Sequence, residues 1–140
     1  MVLQGRVWKE DKNWLIEIPL LDLMTQGESR GDALFMISDA IKELSGSNFK
    51  PKIRGVDHNG YFYLQCEDPD ELLPFVLKRI RESEGISLRE AAKRLKLSSH
   101  NAYARYENGE VKIPIGRFEK YLKKLKGLDV VLSAINLKNA

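Results

Sequence analysis

The segment Leu88-Arg89-Glu90-Ala91-Ala92-Lys93-Arg94-Leu95-Lys96-Leu97-Ser98-Ser99-His100-Asn101-Ala102-Tyr103-Ala104-Arg105-Tyr106-Glu107-Asn108-Gly109 spells two short helices around a tight turn. Leu88, Ala91, Ala92 and Leu95 recur at helical spacing and form one apolar face. The small pair Ala91-Ala92 lets another helix come close. Lys96-Leu97-Ser98 breaks the pattern, and Ser98 or Ser99 can cap a second helix by accepting from its free N–H groups. That helix is expected to carry Ala102 and Tyr106 inward and to leave Ser99, His100, Asn101 and Arg105 outside, with Gly109 closing it. Two helices joined in this way make a helix-turn-helix, whose second helix has the size and chemistry to enter a DNA major groove.

The flanks extend this helical region. Glu71 to Arg81 brings Leu72, Leu73, Phe75, Val76, Leu77 and Ile80. Pro74 belongs near a first turn, which starts that helix around Asp70 or Leu72. Ser83-Glu84-Gly85 ends it, and Ser87 caps the next helix with Glu90 three residues on, as in a capping box. Beyond Gly109, Pro114 opens a helix with Phe118, Tyr121, Leu122 and Leu125 inward, and Gly127 stops it. Leu128 to Leu137 reads as a last short helix or a tail.

The chain has 140 residues and a formal charge of +3, which hides an asymmetry. Residues 1–69 hold eight Lys and Arg against eleven Asp and Glu, a balance of −3; residues 70–140 hold fifteen against nine, a balance of +6. An acidic half joined to a basic half suggests two modules with different partners. The basic half suits a polyanion, although solvated lysine-rich helix faces give the same count. The single cysteine, Cys66, excludes an internal disulfide and a thiolate zinc site. No apolar run reaches membrane-spanning length and the start lacks a signal pattern, so a cytoplasmic location is the expectation.

The first half reads as strands and one helix. Val2 to Trp8 and Trp14 to Ile18 are strands around the polar turn Lys9-Glu10-Asp11-Lys12-Asn13, the second stopped by Pro19. A short third strand is expected over Leu21 to Thr25. Ser29 or Asp32 can start a helix with Ala33, Leu34, Ile37, Ile41 and Leu44, closed by Ser45-Gly46-Ser47-Asn48. Lys52 to Val56 and Tyr61 to Cys66 flank Asp57-His58-Asn59-Gly60, where Asn59-Gly60 signals a hairpin because both residues accept positive φ. Asp68-Pro69-Asp70 marks the boundary between the halves.

Side-chain chemistry assigns candidate contacts. Asn101 can read adenine with two bonds and Arg105 guanine likewise, with Ser99 and His100 beside them. Ser98, Ser99 and the helix N-terminus can hold a phosphate, and Lys112 follows the helix at a place suited to a backbone contact. Lys93 and Lys96 are lesser candidates, Tyr103 and Tyr106 read as packing residues, and Glu107 reads as hydrogen-bonded within its own module, since a carboxylate would repel phosphate. One such module covers one half-site, so dimerisation is implied. The tail residues Val130, Val131, Leu132, Ile135 and Leu137 are one candidate surface for it, packing on their own domain the other reading.

The acidic half offers Glu17, Asp22, Glu28, Asp32 and Asp39. Metal-dependent nucleases converge carboxylates on ions about 4 Å apart. Glu17, however, lies between Ile16 and Ile18 as the outward residue of an alternating strand. His58 reads as a turn residue, and no nucleophile–histidine arrangement can be argued. No enzyme activity, metal or cofactor is expected.

Two stretches carry a family resemblance. Trp14-Leu15-Ile16-Glu17-Ile18-Pro19, then Thr25-Gln26-Gly27-Glu28-Ser29, Ala33 and Ala40-Ile41, together with Asn101-Ala102-Tyr103-Ala104-Arg105-Tyr106-Glu107-Asn108-Gly109, resemble the HicB family of antitoxins over nearly the whole chain. The second stretch is similar to that family's Cro/repressor-type helix-turn-helix. The resemblance implies an α+β chain: an N-terminal partial RNase H-like α/β domain without nuclease activity (residues 1–68), followed by an all-α helix-turn-helix DNA-binding domain (residues 70–140). It implies that the first domain binds a small basic HicA-like ribonuclease toxin and covers its catalytic histidine. It further implies that the second binds operator double-stranded DNA and represses its own operon, in a homodimer or homotetramer. Lys96 stands where repressor-type turns have Gly, and a positive φ there costs a lysine about 1 kcal/mol. Two other functions fit the same halves: a transcription regulator with a ligand-sensing N-terminal domain, and a nuclease positioned by its DNA-binding half.

Overall fold

A computed structural model describes residues 1–46 and 49–137. The chain divides into two compact units: Met1–Glu67 together with the end of the chain from Ala134, and Asp68–Ser133. The last described residues, Ala134 to Leu137, therefore group with the first unit, whereas the sequence assigns them to the helical domain.

In the first unit five strands form one antiparallel sheet: β1 (Val2–Glu10), β2 (Asn13–Ile18), β3 (Leu23–Gly27), β4 (Lys52–Arg54) and β5 (Tyr61–Gln65), in the order β3-β2-β1-β5-β4. One helix, α1 (Arg30–Ser45), packs against it. Alternation explains the layering. Leu3, Val7, Ile16, Ile18, Phe62 and Leu64 point to one face and are buried with Ala33, Ile37 and Ile41 of α1. Ser29 starts α1, its Oγ accepting from the Asp32 N–H at 3.0 Å. The helix ends at Ser45 with Gly46 as its cap; Ser47 and Asn48, expected to help close it, lie outside the described residues.

Three sequence expectations shift here. The first turn is only Asp11-Lys12, because pairing continues to Glu10 opposite Asn13. The third strand starts at Leu23 instead of Leu21, since Pro19–Leu21 coil into a 3-10 turn closed by Asp22 N–H donating to the Pro19 carbonyl at 3.0 Å. In the β4–β5 connection β4 stops at Arg54, and of Asn59 and Gly60 only Gly60 has positive φ (+83°). The Asp57 carboxylate shapes that loop instead, Oδ1 accepting from Asn59 N–H at 2.8 Å and Tyr61 N–H at 2.9 Å.

The second unit is four helices: α2 (Pro69–Ser83), α3 (Leu88–Arg94), α4 (His100–Glu107) and α5 (Ile115–Lys126). Leu72, Phe75, Val76, Leu77 and Ile80 of α2 are buried, as are Phe118, Tyr121, Leu122 and Leu125 of α5. The helix expected over 71–81 is longer at both ends and runs through Pro74. The Pro74 ring is buried, and the Asp70 carbonyl that loses its partner belongs to an exposed residue that water can serve. Leu128 to Leu137 forms no helix; Val131 and Leu132 are 85% and 84% exposed.

Candidate nucleic-acid interface

The α3–α4 turn is built by backbone geometry. Leu97 N–H donates to the Ala92 carbonyl at 2.9 Å and Lys96 N–H to the Lys93 carbonyl at 3.1 Å, the paired bonds of a Schellman motif. That motif requires a left-handed residue between helix and exit, and Lys96 takes it with φ +56°. A lysine therefore occupies the position at which glycine is least strained. Ser99 then caps α4, its Oγ accepting from Ala102 N–H at 3.2 Å; Ser98 is exposed and caps nothing.

Two tyrosines fix the orientation of α4. Tyr103 is fully buried and Tyr106 nearly so, whereas Ala102, expected to point inward, is half-buried. The Tyr106 ring meets Tyr121 of α5 edge to face at 5.7 Å, and the Tyr103 ring lies 6.4 Å from Tyr121. Arg117 of α5 donates to the Tyr106 hydroxyl and stacks on its ring at 5.7 Å. Burial and the neighbouring Glu107 carboxylate push the Tyr103 phenol far above its ordinary range, and burial raises Tyr121 as well. Glu107 itself faces inward, gripped by Arg81 of α2.

With that face anchored, the opposite one is presented. Ser98, Ser99, Asn101 and Arg105 are exposed, and His100 is half-buried. Asn101 and Arg105 stand one turn apart, on one side of the helix. Arg105 lies 3.7 Å from Glu110, an exposed pair that a stronger anion can displace. Lys112 stands apart from this cluster. Its Nζ is 2.6 Å from Asp70 Oδ2 at the start of α2, and that hydrogen bond and charge hold the ammonium above the ordinary lysine range. The sequence offers no signal for this pairing, because Asp70 and Lys112 meet only when α2 packs beside the loop after α4.

Among the described residues, no group of three or more His, Cys, Asp or Glu side chains is placed to hold a metal ion. Among the described residues no helix is long and apolar enough to cross a membrane.

Residues 77–130 match the helix-turn-helix family model, a span from the middle of α2 to just past α5. The C-terminal region thus contains a helix-turn-helix, formed by α3 and α4 and supported by α2 and α5. No curated protein matches this chain.

Proposed function

We propose that this protein is a helix-turn-helix transcription regulator that binds operator double-stranded DNA as a symmetric dimer and whose N-terminal unit carries the regulating signal. The observation that carries this reading is the outward face of α4: Ser99, Asn101 and Arg105 exposed on a helix anchored by Tyr103 and Tyr106. In this reading Asn101 and Arg105 reach base edges, His100 borders them, and Ser98 and Ser99 meet phosphate at the helix N-terminus. Lys112 exchanges Asp70 for a phosphate on binding. The α+β first unit binds an effector, a small molecule in the simplest form.

The HicB resemblance supplies a finer form of the same reading. In it the effector is a small basic HicA-like ribonuclease, the first unit is a partial RNase H-like domain that neutralises it, and the protein is an antitoxin repressing its own operon. Two things support it. The half that would hold a basic toxin carries the −3 balance, and the first three strands form an antiparallel meander followed by one helix on the sheet.

The test is binding of the purified protein to DNA from its own upstream region, measured by fluorescence anisotropy across a salt series. Specific, salt-dependent binding lost in N101A and R105A supports the regulator. Indifference to that DNA at low salt overturns it. Co-purification with a small basic protein encoded beside it, toxic when expressed alone, separates the antitoxin from the small-molecule sensor.

A further inference from the structure

Arg89 and Lys93 stand one turn apart on α3, and both are exposed, away from the buried Ala91, Ala92 and Leu95. Lys96 follows in the turn and is exposed too; its N–H donates to the Lys93 carbonyl at 3.1 Å, which keeps the two lysines adjacent. Three residues on, Ser99 begins α4. A row of cations thus leads from α3 to the start of the helix that carries Asn101 and Arg105.

This row is uncompensated. Other lysines of the unit are neutralised locally, Lys112 by Asp70, Lys123 by Asp129 and Lys126 by Glu84. Among the described residues no carboxylate pairs with Arg89, Lys93 or Lys96. The one carboxylate of α3, Glu90, lies about 100° round the helix from Arg89 and is already held by Arg94 at 3.0 Å. Like charges gathered in this way repel one another, and a polyanion laid along the row relieves the repulsion.

Lys96 is also poorly suited to its own backbone. At φ +56° glycine is free of strain and lysine is not. What lysine adds there over glycine is a cation on a long, exposed stem.

Resting on the operator reading above, we propose that Lys96 is a phosphate-binding residue: with Lys93 and Arg89 it grips the DNA backbone beside the groove that α4 enters, and the strained turn gives up stability for affinity. When a recognition helix lies in the major groove, the helix before it crosses the bounding backbone, which sets this row against phosphates and not against bases. Phosphates carry no sequence, so Lys96 strengthens binding to every duplex alike.

The experiment titrates two fluorescein-labelled duplexes of equal length, one from the protein's own upstream region and one unrelated, with the full chain. Anisotropy is read across a salt series, and the same variants are unfolded in urea. K96G is expected to be more stable than wild type yet to bind both duplexes about fivefold more weakly at about 0.1 M salt, with the salt slope reduced by about one. K96N, uncharged and tolerant of the left-handed backbone, shows the same loss of affinity. K96R keeps affinity, and K93A weakens binding to both duplexes. K9A, which removes an exposed lysine of the first unit, leaves the slope unchanged. If K96G and K96N bind as wild type does while R105A still loses operator affinity, Lys96 meets no phosphate and the proposal falls alone. An equal loss in K9A assigns the effect to net charge and overturns it. So does a K96G that loses only its preference for the upstream duplex, which marks a reoriented α4. A K96G less stable than wild type overturns the exchange of stability for affinity. Wild type that ignores both duplexes at low salt removes the operator reading and this inference together.

Discussion

Arg81 and Glu107, twenty-six residues apart, form a two-pronged ion pair, Nε to Oε1 at 2.7 Å and Nη2 to Oε2 at 3.1 Å, with side chains only 14% and 5% exposed. Nη1 donates to the Ile86 carbonyl at 3.0 Å, so the same guanidinium also holds the loop between α2 and α3. The pair ties the C-terminal end of α4 to α2 and neutralises a carboxylate on the buried side of α4. Its hydrogen bond with Glu107 is the main reason the Arg81 guanidinium is held still further above its usual range.

Breaking that pair leaves a buried charge alone. R81A and E107A are each expected to cost about 3 kcal/mol of unfolding free energy, read from urea titrations. The double replacement R81M/E107L is expected to recover much of that loss, because two apolar side chains need no partner. Losses in R81A and E107A that simply add in the double alanine variant would falsify the coupling.

Lys96 holds a left-handed backbone that its side chain disfavours. K96G is expected to raise the stability of the helical unit by about 1 kcal/mol, the strain relieved being partly offset by the entropy glycine loses on folding. A higher urea midpoint with unchanged slope is the signature. A lower midpoint means that the lysine side chain contributes contacts outweighing the strain.

Gly60 has the opposite character. A Cβ there would sit 1.9 Å from the Val7 carbonyl oxygen, at φ +83°, and Gly60 O accepts from Val7 N–H at 2.8 Å. G60A is expected to destabilise the first unit by more than about 2 kcal/mol. Tryptophan fluorescence reads that unit, since Trp8 and Trp14 both lie in it.

The interface variants separate base reading from phosphate binding. R105A should lower operator affinity by about 1–3 kcal/mol and relax sequence preference. D70N releases Lys112 and is expected to raise affinity for all DNA sequences alike at low salt, while K112A lowers it alike and reduces the salt slope by about one. If D70N leaves non-specific affinity unchanged, Lys112 does not reach phosphate.

Alkaline stability follows from Tyr103 and Tyr121, whose phenols burial holds above their unfolded value. Below about pH 10 both folded and unfolded forms are protonated and the contribution is fully present. Above it the unfolded chain releases protons that the folded chain keeps, so stability falls as pH rises. Urea midpoints between about pH 8 and pH 11 are expected to fall, and to fall less in Y103F. An equal fall in Y103F shows that another group governs the transition.

The sequence by itself determined what depends on neighbours in the chain. Ser29, Ser87 and Ser99 cap their helices because the N–H each one serves lies three residues ahead. The apolar spacings of α2 and α5 name their buried faces because helical periodicity is local. Pro19 ends β2 because it brings no N–H. Tertiary structure decided whatever needed distant groups to meet. Glu107 was legible as an internal hydrogen-bonding residue, but its partner Arg81 was not. Lys112 read as a free cation until packing placed Asp70 beside it. Pro74 read as lying near a first turn that starts around Asp70 or Leu72, yet α2 starts at Pro69 and runs through it, the Asp70 carbonyl being left to water. The strained φ of Lys96 and the meeting of Arg6 with the Trp8 and Tyr61 rings on one sheet face likewise came from backbone bonds and strand register, because side-chain spacing along the chain does not specify which strand lies beside which.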